Sequence, residues 1–171
     1  FQREVPFHKA LKTSFEKFQC EGWGVVPARP SNDKVTVVSQ DKWLDDNTLE
    51  VRSTTRTPMG DLTSASRFAR DEPSWQVERP IKNLEQDLPA WELASFGGEP
   101  DALDVSPLIR AWEDVGDTYL LEAGVGPPFL DFFAGNREGG LETAIYDFMN
   151  PDFEPKLQEL RDCYIQRLLG V

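Results

Sequence analysis

The sequence predicts a mixed α/β chain in which βα units of a parallel sheet are interrupted by a small antiparallel β-meander. Three observations predict it. Apolar residues recur at three- and four-residue spacing near the N-terminus and through much of the second half, the period of an amphipathic helix. Residues 35–78 change period, with β-branched residues alternating between apolar and polar neighbours. A short apolar strand at Thr118–Glu122 then stands between helices, the alternation that lays helices on a parallel sheet.

Each element has its own signal. Phe7, Ala10, Leu11, Phe15 and Phe18 share one helical face over residues 7–19, and Pro6 fits the first turn. Gly22 and Gly24 mark its end, and Pro27 and Pro30 suggest an extended loop. Strands are expected at Val35–Val38, Leu49–Arg56, Leu62–Ser66 and Trp75–Glu78, with turns at Asp45-Asp46-Asn47 and Thr57–Asp61. Asn83 reads as an N-cap with Gln86 as its capping-box partner, and Pro89 as a restart of the helix, which Gly97-Gly98 stops. Ser106-Pro107 reads as N-cap plus first helical residue, and Gly116 ends that helix. Helices are expected at about 129–134 and 138–148, with a last one from Pro151 to about Leu169. The implied division is 1–34, an N-terminal helix and loop; 35–82, the meander; and 83–171, the βα units. The chain stops at Gly170-Val171, where another strand is expected, so a partial domain is anticipated.

Composition narrows the function. With 11 Phe and 5 Trp in 171 residues the chain can fill a core. A net charge of -12 argues against nucleic acid and against an anionic membrane surface. No apolar run approaches the roughly 20 residues of a membrane span. The opening Phe1-Gln2-Arg3-Glu4 has no basic stretch followed by an apolar one, so no signal peptide is expected. Two distant cysteines, Cys20 and Cys163, make no disulfide framework and fit a reduced, cytoplasmic setting.

Three passages carry a family resemblance. Thr54-Thr55-Arg56-Thr57-Pro58-Met59-Gly60-Asp61-Leu62 is similar to a T-P-x-G-x-L hairpin. Trp75-Gln76-Val77-Glu78-Arg79-Pro80-Ile81-Lys82-Asn83-Leu84-Glu85-Gln86-Asp87-Leu88 is the most specific run. Gly126-Pro127-Pro128-Phe129 is followed at a distance by Tyr146-Asp147-Phe148-Met149-Asn150-Pro151. In that order they resemble the uroporphyrinogen decarboxylase superfamily, closest to its methyltransferase-like branch, over about residues 50–170. The resemblance implies a partial TIM (β/α)8-type barrel carrying the meander as an insertion, with later strands supplied by the rest of the barrel or another copy. It also implies a small-molecule substrate, a corrinoid carried by a partner protein, and a zinc site beyond Val171.

Barrel sites lie at the carboxyl ends of strands. That points to Glu122 and Asp131 as catalytic acids and to Phe129 and Phe132 as walls of a substrate pocket. The tyrosine that touches substrate in the decarboxylases would fall at about Ala134, beside Phe132 and Phe133, and an arginine-rich loop is also missing. Both departures favour methyl transfer over decarboxylation. A third reading is a non-catalytic α+β interaction domain that stands alone.

The remaining features read as structure. His8 looks like a surface residue. Cys163, near Leu160 and Leu168, looks like a small core residue. Cys20 has only Lys17 nearby and is not an activated thiolate. No metal ligands are spaced for binding. Gly124-Val125-Gly126 is not a dinucleotide fingerprint, and Asp114, Asp117, Glu122 and Asp131 do not make an EF-hand. Gly135–Gly140 reads as a mobile loop or part of a lid, Glu78 and Lys82 as a surface pair, and the five tryptophans as core.

Overall fold

The computed structural model describes residues 7–19, 22–27, 29–30, 32–98, 103–116, 119–124 and 126–169. In chain order these form α1 (Phe7–Phe18), β1 (Gly22–Pro27), β2 (Arg29–Pro30), β3 (Thr36–Trp43), β4 (Thr48–Thr57), β5 (Gly60–Ala69) and β6 (Trp75–Glu78). There follow α2 (Leu84–Phe96), β7 (Leu103–Asp104), α3 (Ser106–Val115), β8 (Tyr119–Gly124), α4 (Phe129–Asn136), α5 (Gly140–Met149) and α6 (Glu154–Leu169). Contacts divide them into two units, each built from two stretches: residues 1–31 with 101–126, and residues 32–100 with 127–171.

In the first unit β1 and β8 run parallel, with Trp23 opposite Leu120 and Val25 opposite Glu122. Sequence reasoning places β8 but misses β1. Its two glycines and terminal proline hide the strand pattern, and its partner lies far along the chain. Parallel strands sit close here: a Cβ on Gly124 would come within 2.8 Å of the Val25 Cγ1. Helices α1 and α3 pack on this pair, burying Gly22 and Gly24 together with Ala111 and Val115 of α3. Lys9 Nζ lies 3.0 Å from the Asp114 carboxylate and joins the two helices. Helix α3 starts one residue earlier than expected: Ser106 is its first residue, and its N–H and hydroxyl both donate to Asp104 Oδ1 at 3.0 and 2.5 Å.

The second unit contains the expected meander, a four-stranded antiparallel sheet in the order β3-β4-β5-β6. Strand β4 alternates as its sequence requires. Leu49 and Val51 are buried, whereas Glu50 and Arg52 turn to the other face. Strand β3 is an edge strand exposed at every position, including Val37 and Val38. Helix α2 packs against β4 and β5 and buries Leu84, Leu88, Ala90 and Trp91. Contrary to expectation, Pro89 does not restart α2. It lies inside one continuous helix, which forgoes a single backbone hydrogen bond near its start.

The core of this unit joins α2 to α4, α5 and α6. Trp91 sits at its centre, 5.5–5.6 Å from the rings of Phe96, Phe132 and Phe133. Helix α6 contributes Leu157, Leu160 and Tyr164, a three- and four-residue spacing that aligns one stripe. Cys163 falls off that stripe and is exposed, so the expected core role is corrected. The tryptophans are corrected too: Trp91 is buried, but Trp23, Trp43, Trp75 and Trp112 are exposed. Cys20 and the His8 side chain lie outside the described residues.

The glycine-rich stretch 135–140 is neither a free loop nor a lid. Helix α4 continues through Asn136, and Arg137 bridges to Ile81. Ile81 N donates to Asn136 O at 2.9 Å, and Glu138 N donates to Ile81 O at 2.8 Å. Arg79 N donates to the Glu138 carboxylate at 3.0 Å. Gly139 and Gly140 have φ of 83° and 66°, and a Cβ on Gly140 would lie 2.5 Å from Arg79 Nη1. The glycines are there because the turn is tight and closely packed.

The described residues form a mixed α/β structure with one parallel pair and one antiparallel four-stranded sheet, and no closed barrel. Of the parallel βα sheet that was expected, the described residues contain the β1–β8 pair. No helix among them is long and apolar enough to cross a membrane.

Candidate functional site

The β1–β8 pair has two unlike faces, because side chains alternate along a strand. One face lies under the helices. The other carries Trp23 and Val25 from β1 and Leu120 and Glu122 from β8, all exposed. Trp23 is 53 % and Leu120 67 % accessible, a large apolar exposure for a parallel sheet, which is normally covered on both faces. The Trp23 indole Nε1–H donates to Glu122 Oε2 at 3.3 Å. Glu122 is thus a carboxylate set among apolar side chains and held by an indole, with no cationic partner among the described residues.

Glu122 was expected at the strand end and lies two residues before it. Trp23 was missed as a site residue. The alternation of larger residues with glycines in Gly22-Trp23-Gly24-Val25 reads equally as a helix stop, and only the pairing with β8 distinguishes the two.

Asp131, Phe129 and Phe132 belong to the second unit, whereas Glu122 belongs to the first. Asp131 is exposed in the first turn of α4, where a carboxylate complements the helix dipole. Phe129 is buried, and Phe132 is stacked on Tyr164 with centroids 5.2 Å apart. Tyr164 donates its hydroxyl to Pro127 O at 2.6 Å, and burial raises its phenol above the ordinary value. The two phenylalanines are therefore occupied in packing. Phe129 also reaches an open groove of about 320 Å³, shared with Leu130, Ile145, Phe148, Met149 and Arg161.

The densest polar cluster lies on one face of the meander. Glu50 is paired with Arg67 at 3.0 Å and with Arg52 at 3.3 Å. Glu78 is paired with Arg52 and, at 2.8 Å, with Lys82, and it accepts from the Thr63 hydroxyl at 2.6 Å. The Lys82 hydrogen bond, then that of Thr63, hold the Glu78 carboxyl down at about 2. Arg67 above all holds Glu50 below the usual range. Both acids are matched by cations, so the cluster locks strands together rather than offering a vacant charge. The expected Glu78–Lys82 pair is part of it.

Among the described residues no three His, Cys, Asp or Glu side chains converge as a metal site. Compared with protein-family models, curated proteins and solved structures, the chain has no match.

Proposed function

We propose that the chain is a segment of a uroporphyrinogen decarboxylase-like barrel enzyme that moves a methyl group between a small substrate or thiol and a corrinoid held by a partner protein. The observation that carries this reading is the parallel β1–β8 pair, with helices on one face and a bare apolar face displaying Glu122 near the strands' carboxyl ends. In a βα barrel the helices lie outside and the other strand face lines the interior. A two-stranded parallel sheet with an uncovered face calls for further strands. Exposed Ile109 and Trp112 on α3 fit the same need for neighbouring helices.

In this reading Glu122 hydrogen-bonds or polarises substrate, and Trp23 fixes its position. Phe129 and Phe132 act through packing, and Asp131 supports the start of α4. The corrinoid would donate or accept the methyl group. Nothing among the described residues fits a zinc ion, and no role here depends on one. We place the protein in a reduced, cytoplasmic compartment on its cysteine usage.

The test is to incubate the protein encoded by the whole source gene with methylcobalamin and a thiol, and to follow loss of the methylcobalamin absorbance. Turnover that falls about 10²-fold or more in Glu122→Gln supports the reading. Coproporphyrinogen formed from uroporphyrinogen would instead establish the decarboxylase alternative. A second reading, a non-catalytic interaction domain, is favoured by one observation: the second unit closes its own core, from Leu62 to Tyr164. Absence of both turnovers, with a cooperative melt of the isolated chain, would favour it.

A further inference from the structure

We propose that the outer face of α5 is an isologous interface, on which a second copy of this chain docks its own α5 antiparallel about Ile145. This surface stands whether or not the chain transfers methyl groups.

A helix lying on a core should turn its apolar residues inward and its polar ones outward. Helix α5 buries Gly140 and Ala144, as expected. Its outer side then carries Leu141, Ile145 and Met149, which are 42–72 % exposed. These three recur every four residues and form one apolar ridge along the helix. Beside the ridge lies the open groove of about 320 Å³, lined by Phe129, Leu130, Ile145, Phe148, Met149 and Arg161. Contiguous apolar surface of this kind marks a contact site. A ridge next to a groove suits a copy of the same surface, because a two-fold axis sets each feature against the other's counterpart.

Charge selects the second copy over an unrelated partner. Arg161 is the charged member of the groove lining, and it pairs with the adjacent Asp162 while both side chains stay largely in water. Such a pair contributes little and leaves the guanidinium available. Glu142 is exposed in the first turn of α5, three residues before Ile145, and Phe148 is three residues after it. At about 100° per residue, Glu142 and Phe148 flank the ridge on opposite sides. A two-fold axis through Ile145 exchanges those sides. It carries Glu142 of each copy over the groove that holds Phe148 and Arg161 of the other, and sets Leu141 of each against Met149 of the other. Two equivalent ion pairs then rim an apolar centre, the usual anatomy of an interface.

The experiment is sedimentation velocity of the purified chain from about 5 to 500 µM. We expect a reversible monomer–dimer equilibrium with a Kd of about 100 µM or tighter, as suits a small interface. Ile145→Asp places two carboxylates on the axis and should leave the chain monomeric throughout that range. Glu142→Arg and Arg161→Glu each set like charges against one another and should weaken the dimer at least about tenfold. Mixing those two variants should restore the Kd to within about threefold of the unaltered chain, since each altered charge then meets its opposite. The mixture is decisive: a misfolded variant, or a dimer built on another face, regains no affinity that way. A chain that stays monomeric across the range would overturn the proposal and leave the ridge to a different partner. A dimer indifferent to Ile145→Asp, or a mixture no tighter than its components, would overturn it as well.

Discussion

Arg137 illustrates how much one side chain can hold. Its guanidinium reaches Asp147 at 2.6 Å and donates to Lys82 O at 2.8 Å, with both partners of the ion pair only 12 % exposed. Arg137→Ala strands a largely buried carboxylate and a carbonyl, and should cost about 3 kcal/mol in chemical denaturation. Arg137→Lys keeps the charge but loses the planar fork and should recover only part of that. An unchanged midpoint in Arg137→Ala would show that the pair is solvated. Glu78 makes a second residue-scale prediction. Its carboxyl is depressed from 4.5 to about 2 in the folded chain, so its contribution is present above the ordinary value and is lost as pH falls towards 2. Glu78→Gln should flatten the fall in stability across that window, measured as denaturant midpoint against pH. A fall of unchanged steepness would assign it to other carboxylates.

At the scale of elements, local signals were legible where they were self-contained. The meander was visible because alternation and turn residues both lie within each hairpin. Helix starts were found to within a few residues, and so was the Asn83 cap, but not its reciprocal partner. Asn83 does cap α2, accepting from Gln86 N at 3.2 Å. The reciprocal bonds come from Asp87, whose Oδ2 accepts from Lys82 N and Asn83 N at 2.8 and 2.7 Å. Spacing alone favours the residue three positions on; the extended approach through Pro80 and Ile81 makes the fourth the one that reaches. Asp87→Ala should therefore destabilise by about 1 kcal/mol, while Gln86→Ala should be nearly neutral. The reverse order in thermal melts would restore the sequence-based assignment. Strand β1 was illegible for a different reason: its glycines mimic a helix stop, and only its distant partner makes it a strand. Glu122 could be singled out from position, whereas Trp23 could not, because its role depends on that pairing.

For the whole molecule, the two units differ in how much apolar surface each removes from water. The second has a continuous aromatic and aliphatic core, from Leu62 through Trp91 to Tyr164. The first buries Ala111 and Val115 while exposing Trp23, Leu120, Ile109 and Trp112. Local stability follows buried apolar contact. Backbone amides of β1 and β8 should exchange with solvent at least about tenfold faster than those of β4 and β5, since about 1.4 kcal/mol of opening energy suffices for that ratio. Equal protection measured by hydrogen exchange would mean that the parallel pair is as well supported as the meander.

The pairing of Gly22 with Tyr119 also sets an order of events during synthesis. A ribosome adding about 5–20 residues per second delivers the second strand many seconds after the first. Throughout that interval Trp23 and Val25 have no strand to lie beside, while β4 and β5, joined by a short turn, can zip together within microseconds of emerging. The meander is then finished before its flanking segments can meet. A chaperone that samples nascent chains should find its binding site near residues 22–27 and should release it once Tyr119–Gly124 has left the exit tunnel.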